Sequence, residues 1–136
     1  MSDLQQTLSI IKPDAVERNL SEKIKTIFLK NNLVISNSKK LHITKEEAAD
    51  FYKVHQSKPF YNDLCSYLSS GPIVVMILEG ENAISLNRKI MGATDPKNAE
   101  ENTIRKLYGI SIDKNSVHGS DSQTNAKKEI EFFFKN

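Results

Sequence analysis

The run Ile73-Val-Val-Met-Ile-Leu78 constrains the fold more than any other stretch of this chain, because it is unbroken, apolar and rich in β-branched residues. Stopped on its N-terminal side by Ser69-Ser-Gly-Pro72, it reads as a central strand covered on both faces. It falls far short of the roughly 20 apolar residues that a transmembrane helix needs. The rest of the chain must supply the cover, and 136 residues suffice for one core but divide poorly into two. A single domain over residues 1–136 is expected.

Upstream, Thr7 to Lys12 alternates around Leu8 and Ile10 before Pro13, the pattern of a strand that feeds a turn and carries Lys12 at its end. Ser21 fits the N-cap of a helix that aligns Ile24, Ile27 and Phe28 and closes at Asn31-Asn32. Leu33–Ile35 and Lys39–Ile43 are β-compatible, and Thr44-Lys-Glu-Glu47 forms a capping-box pattern ahead of a helix over Ala48–Val54. Tyr61–Leu68 and Asn82–Ile90 read as helices, and Gly92–Glu101 as a polar loop. Thr103–Tyr108 reads as one helical turn, Ser116–His118 as a short strand and Asn125–Phe134 as a final amphipathic helix. This β, α, β, α, β, α, β order predicts an α+β sandwich, a sheet with helices packed against one face.

Charge narrows the function mainly by exclusion. Nineteen basic and 17 acidic residues leave +2 at pH 7, and the lysines are scattered, which argues against a dedicated nucleic-acid binder. Asp3 and polar glutamines stand where a secretory signal needs a basic start and an apolar stretch. Cys65 is alone, so it builds neither an internal disulfide nor a cysteine zinc site, and a reducing cytoplasm is the expected compartment. His42 and His55 lack metal-ligand spacing and read as structural or solvated; no metal cluster is expected.

Neither a G-x-x-x-x-G-K-[ST] loop nor a G-x-G-x-x-G fingerprint occurs among the five glycines, so a nucleotide site must be built differently. The small, polar segment Asn115-Ser-Val-His-Gly-Ser-Asp-Ser122 lets a backbone approach a ligand closely, and a histidine there can act as a nucleophile. Free imidazole, with a pKa of about 6.5, is mostly neutral near pH 7, as a nitrogen nucleophile requires. A carboxylate partner would fix its tautomer, and Glu129 on the last helix is the candidate. The competing reading of His118 is an ordinary loop histidine.

Lys12, Arg88 and Arg105, with Thr94 between the arginines, form a set that together would clamp a polyphosphate, although each alone reads as a surface charge. Phe60, after Lys58-Pro59, either stacks on a base or packs between helices. Phe132, Phe133 and Phe134 spread around their helix, which favours core and subunit packing.

Ser9-Ile-Ile-Lys-Pro-Asp-Ala15, Lys58-Pro-Phe60, Ser70-Gly-Pro72, Leu78-Glu-Gly80, Gly92-Ala-Thr94 and Asn115 to Ser122 follow one another in a particular order. With these segments the chain resembles nucleoside diphosphate kinases over nearly its whole length. The resemblance implies a ferredoxin-like α/β sandwich with an antiparallel four-stranded sheet. It also implies a ping-pong reaction: a nucleoside triphosphate, typically ATP, phosphorylates the δ nitrogen of His118, and a nucleoside diphosphate then collects the phosphoryl group.

By the same resemblance Glu129 orients the imidazole, Ser120 supports it and Gly119 keeps the approach open. Lys12 reaches the transferred phosphate and the ribose, Tyr52 lies beside the transferring group and Asn115 contacts the sugar. Arg88, Thr94 and Arg105 hold the phosphates, while Phe60 and Ile112 grip the base between apolar faces, which implies low base selectivity. Mg²⁺ is implied as a companion of the nucleotide, held mainly through its phosphates. A homohexamer, or the tetramer found among bacterial forms, is implied too, with Pro96 at a loop position associated with subunit contacts.

Three departures stand out: Ser21 where the family has glycine, Leu107 where it has an acidic residue, and a short stretch after the last helix. Two rival functions share the predicted topology. A regulatory ligand-binding module would not need His118, Lys12 and both arginines. An RNA-binding sheet would carry aromatics on adjacent strands, which the predicted strands lack.

Overall fold

The computed structural model describes residues 4–112 and 114–134, so the span expected to form one domain, 1–136, runs past them at both ends. Four strands, β1 (Leu4–Ile11), β2 (Val34–Leu41), β3 (Ile73–Glu81) and β4 (Val117–Gly119), form one antiparallel sheet in the order β2-β3-β1-β4. This is the ferredoxin-like arrangement. Seven α-helices are described: α1 (Pro13–Glu17), α2 (Ser21–Lys30), α3 (Lys45–Phe51), α4 (Tyr61–Leu68), α5 (Ala83–Met91), α6 (Ile104–Tyr108) and α7 (Gln123–Phe134). Among the described residues, no helix is long and apolar enough to cross a membrane.

The apolar run of β3 explains the layering. Val74, Met76 and Leu78 point into one core with Ile11, Ile24, Phe28, Ala83, Ile90 and Met91, whereas Ile73 and Val75 point into another with Leu8, Ile10, Ala48, Cys65, Leu68 and Phe133. Helices therefore cover both faces, α2 and α5 on one and α3, α4 and α7 on the other. The expected packing against one face is corrected on this point. A strand apolar at consecutive positions is exposed on one side unless both are covered, and each large side chain fully buried contributes about 1.5–3 kcal/mol.

Several boundaries differ from expectation for local reasons. β1 begins at Leu4 rather than Thr7. Pro13 opens the short helix α1 instead of a simple turn, because its fixed φ suits the first helical position. Leu20, without a side-chain cap, occupies the N-cap of α2, and Ser21 is already helical. The two β segments expected around residues 33–43 are one strand with an irregularity between Ile35 and Asn37, and the exposed Lys39 and Lys40 suit its edge position. α3 ends at Phe51 rather than at Val54, followed by a 3-10 turn at Lys53–His55.

The capping box forms as predicted: Glu47 N donates to Thr44 Oγ1 at 3.1 Å and Thr44 N donates to Glu47 Oε1 at 2.9 Å. The polar loop after α5 holds a 3-10 turn at Pro96–Asn98, capped by Asp95. Pro96 is buried and packs closely on Gly109. The last strand lies one residue later than predicted, at Val117–Gly119.

Candidate active site

β4 pairs along β1, with His118 opposite Ile10, so its ring lies on the face that α7 covers. That helix brings Glu129 to it: His118 Nε2 lies 3.0 Å from Glu129 Oε1. A carboxylate only accepts, so Nε2 carries the proton and Nδ1 is left with its lone pair. Ser120 Oγ donates to the same carboxylate oxygen at 2.8 Å and accepts from Leu8 N at 3.3 Å. The backbone of β1 thus holds the hydroxyl, the hydroxyl holds the carboxylate, and the carboxylate holds the imidazole.

Aromatic edges limit rotation of the ring. Phe51 packs on His118 at 5.4 Å between centroids and Tyr52 at 6.5 Å, both edge-on, within the usual range for such pairs. Burial first, and the Glu129 charge second, push the Tyr52 hydroxyl well above its ordinary range. It therefore keeps its proton and can donate.

Next to this group Arg88, Thr94, Arg105, Gly119 and Asp121 line a cleft of about 640 Å³. Arg88 projects from α5 into solvent, whereas Arg105 on α6 is buried. Arg105 Nη1 donates to Gly92 O at 3.0 Å and Nη2 to Val117 O at 2.9 Å, while its buried Nε has no partner among the described residues. Burial and then the charge of Arg88 lower its pKa to about 10, which leaves it cationic at neutral pH. Two cations held close enough to repel each other are a seat for an anion. Asp121 at the rim is drawn below the usual carboxylate range by the hydrogen bond from Asn125, with Arg88 contributing.

Asn115 joins two walls of the site. Its Oδ1 accepts from Lys12 Nζ at 2.9 Å and its Nδ2 donates to Thr94 O at 3.0 Å. Lys12 therefore belongs to the cluster, at the junction of β1 and α1. Gly119 and Asp121 also line a smaller cavity of about 260 Å³ together with His118, Glu129, His55 and Phe132, so the histidine opens beside the arginine cleft.

Glycine is required at two positions here. Gly92 adopts φ +88°, and a side chain would meet Thr103. At Gly119 a Cβ would run into the fully buried Asn87 amide and come within 2.8 Å of Met91 Cε. Gly119→Ala is expected to overpack this contact and destabilise the fold by about 1–3 kcal/mol, read as a lower urea midpoint. An unchanged midpoint would mean that Asn87 and Met91 yield freely.

Phe60 and Ile112 stand apart from these cavities. Phe60, at the N-cap of α4, is 44% exposed and Ile112, in the loop after α6, is 56% exposed. Phe60 connects to the histidine through rings, packing at 6.1 Å on His55, which lies 6.2 Å from Tyr52. Leu107 is exposed beside Arg105 on α6, and Phe133 is buried as expected while Phe132 reaches the histidine cavity.

His42 makes an ordinary structural contact, with Nε2 2.9 Å from Ser69 O. His55 was expected to be structural or solvated, yet it lines the histidine cavity with its Nδ1 buried and unpartnered among the described residues. Burial, then Lys58 and His118, lower its pKa. Phe51 and Asp121 were likewise not among the predicted site residues. The available signal was the ring-bearing set Phe51, Tyr52 and His55 within one turn directly after a strong capping box.

Residues 5–136 match the family described as nucleoside diphosphate kinase. The nucleoside diphosphate kinase of a Nitratiruptor species is 56% identical over 131 residues, 96% of each chain. That of Campylobacter hominis is also 56% identical over 131 residues, again 96% of each. Among solved structures, the Aquifex aeolicus nucleoside diphosphate kinase superposes with a TM-score of 0.96 at 40% identity, covering 98% of this chain and 97% of that one. The Encephalitozoon cuniculi enzyme gives a TM-score of 0.93 at 36% identity, covering 97% and 90%. Likeness at this level, over nearly the full length of sequence and fold alike, settles the kinship: the chain belongs to the nucleoside diphosphate kinase family, a family of phosphotransferases.

Proposed function

We propose that the protein transfers the terminal phosphate of a nucleoside triphosphate to a nucleoside diphosphate in two half-reactions, through a phosphohistidine at His118. The observation that carries this reading is the 3.0 Å bond from His118 Nε2 to Glu129, which leaves Nδ1 as the nucleophilic atom beside the arginine cleft. In the first half-reaction Nδ1 attacks the γ-phosphorus, the bond to the bridging oxygen breaks, and its electron pair leaves with the nucleoside diphosphate. In the second, a different diphosphate reverses these steps. Phosphoryl transfer calls mainly for positioning and charge stabilisation, and the remaining residues suit those tasks.

Arg88, Arg105 and Thr94 hold the phosphates, Lys12 reaches the transferred group and the ribose, and Asn115 contacts the sugar. Tyr52 stays protonated beside the transferring group, and Ser120 fixes Glu129. Phe60 and Ile112 take the base between apolar surfaces, which suits broad base tolerance because every base offers a π-face. Phe60→Ala is expected to weaken nucleotide binding by about 1–3 kcal/mol, similarly for purines and pyrimidines, in equilibrium titrations. Unchanged affinity would remove Phe60 from the site.

Magnesium fits this arrangement as a companion of the nucleotide. The carboxylates at the cleft, Asp121 and Glu100, stand among arginines, a donor set suited to a cation carried mainly by phosphate oxygens. Bound there, it would neutralise phosphate charge. We further assign the protein to the cytoplasm and to a homohexamer, with a tetramer as the alternative; light scattering separates the two assemblies.

Mass spectrometry after incubation with a nucleoside triphosphate alone tests the mechanism. One phosphoryl group should remain on the protein and discharge when a nucleoside diphosphate is added. Transfer between nucleotides with no protein-bound phosphate at any time would refute the two-step route.

A further inference from the structure

We propose that Asp14 is a positioning residue for this reaction, a buried carboxylate that locks the segment carrying Asn115 and His118 to α4, the helix whose N-cap is Phe60. The inference rests on the reading of His118, Lys12, Asn115 and Phe60 as the working groups of the site.

Asp14 lies in α1, two residues after Lys12, and is almost wholly buried. Its carboxylate accepts from three elements. The Tyr67 hydroxyl, from α4, donates to Oδ1; Ser116 Oγ, from the loop before β4, donates to Oδ2 at 3.1 Å; and Arg18 Nη2 donates to Oδ2 at 3.2 Å. The Asp14 backbone N–H donates back to the Tyr67 hydroxyl at 2.9 Å. Arg18 also donates from Nε to Asp14 O at 3.0 Å and from Nη2 to Tyr108 O at 2.6 Å, which brings in the end of α6, the helix of Arg105.

The element most affected is Ser116. It adopts φ +76°, a left-handed conformation that disfavours residues with a Cβ, and it is fully buried. Its carbonyl accepts from Lys12 N at 2.8 Å. Asn115, on one side, bonds Lys12 Nζ, and His118 follows two residues later on the other. The turn at Ser116 therefore sets how the sugar contact and the nucleophile face each other, and its hydroxyl ties it down, donating to Asp14 Oδ2 at 3.1 Å and accepting from Arg18 Nη2 at a longer 3.5 Å.

A buried carboxylate is retained at a cost, because an apolar cluster of similar volume is commonly as stable. What the carboxylate adds is direction: three donors converge on two oxygens, Tyr67 from α4, Ser116 from the loop before β4, and Arg18 from the end of α1, which reaches α6 through Tyr108 O. Tyr67 fixes the helix headed by Phe60, Ser116 fixes Asn115 and His118, and Arg18 fixes the end of α6. Neither Asp14 nor Tyr67 lines the arginine cleft or the histidine cavity, so their effect passes through the working groups that these elements carry.

The experiment compares Asp14→Asn, Ser116→Gly and Ser116→Ala with the wild type by kcat/KM, by thermal melting and by amide hydrogen exchange across residues 115–119. For Asp14→Asn, faster exchange in that segment is expected, with kcat/KM lower by about 10- to 100-fold, the range typical of outer-shell partners. Ser116→Gly relieves the left-handed backbone yet removes the hydroxyl. It is expected to melt near wild type while losing kcat/KM as Ser116→Ala does. Wild-type kcat/KM in Ser116→Gly, or unaltered segment exchange in a folded Asp14→Asn, would overturn the proposal. Should Asp14→Asn fail to fold, the two Ser116 variants decide. A wild type that never forms a phosphoenzyme would defeat the two-step reading alone, since the exchange data still judge the anchor.

Discussion

His118→Ala is expected to abolish phosphate incorporation from γ-labelled ATP and to lower transfer between nucleotides by about 10⁴-fold or more, the scale that follows removal of a covalent nucleophile. On the wild type the label should be acid-labile and alkali-stable, the behaviour of a phosphorus–nitrogen bond. Alanine removes the atom that forms this bond but leaves the arginine cleft, so nucleotide binding should largely survive. Arg88 and Arg105 reach the cleft from α5 and α6 rather than from β4. Full labelling of the variant would eliminate His118 as the carrier.

Glu129→Ala is expected to reduce kcat by about 10²- to 10⁴-fold, by analogy with the loss on disturbing the carboxylate behind a catalytic histidine. Two donors, His118 Nε2 and Ser120 Oγ, end on the single oxygen Oε1. Removing it leaves the imidazole free to exchange tautomers and to place its proton on Nδ1, where no attack is possible. Glu129→Gln keeps an acceptor oxygen but also brings an amide N–H, which can face Nε2 and favour the proton on Nδ1, so a loss of similar order is expected. Rapid-quench measurement of phosphohistidine formation, with circular dichroism to verify folding, checks the series. A much smaller loss in Glu129→Gln than in Glu129→Ala would show that a neutral acceptor suffices to set the tautomer; wild-type kcat in Glu129→Ala would remove the residue from the mechanism.

Much of this arrangement was legible in the residues. The apolar run at Ile73–Leu78 marked the central strand because its pattern needs no partner to be interpreted, and Thr44 and Glu47 marked a helix start because the capping box is purely local. The helix at Pro13 and the N-cap at Leu20 were missed, since a proline after a strand is equally compatible with a turn, and Ser21 is a stronger cap by composition than the residue that occupies the position. Helices on both faces were missed too: the order of elements suggested cover on one face, although an unbroken apolar run requires it on both.

At the site, the order of motifs pointed to His118, Lys12 and the arginines, but the links between them are long-range and leave no local trace. That Asn115 joins Lys12 to Thr94, or that Asp14 meets Tyr67, depends on how strands and helices return to one another. His55 shows the same limit. Its immediate neighbours, Val54 and Gln56, give it no distinctive pattern, and the folded arrangement of Tyr52 and Phe60 brings it to the histidine cavity.

The pairing of β1 with β4 has a consequence for how the protein comes into being. Leu8 and Ser120, whose hydrogen bond supports the histidine cluster, are 112 residues apart, so closing that contact demands a large loss of chain entropy before it is rewarded. β1 and β3 can pair while β4 is still unplaced, since β4 is only three residues long and joins the sheet at its margin. Regain of activity during refolding should therefore trail regain of secondary structure, and a nascent chain that has only just emerged through β3 would possess most of a sheet and no chemistry.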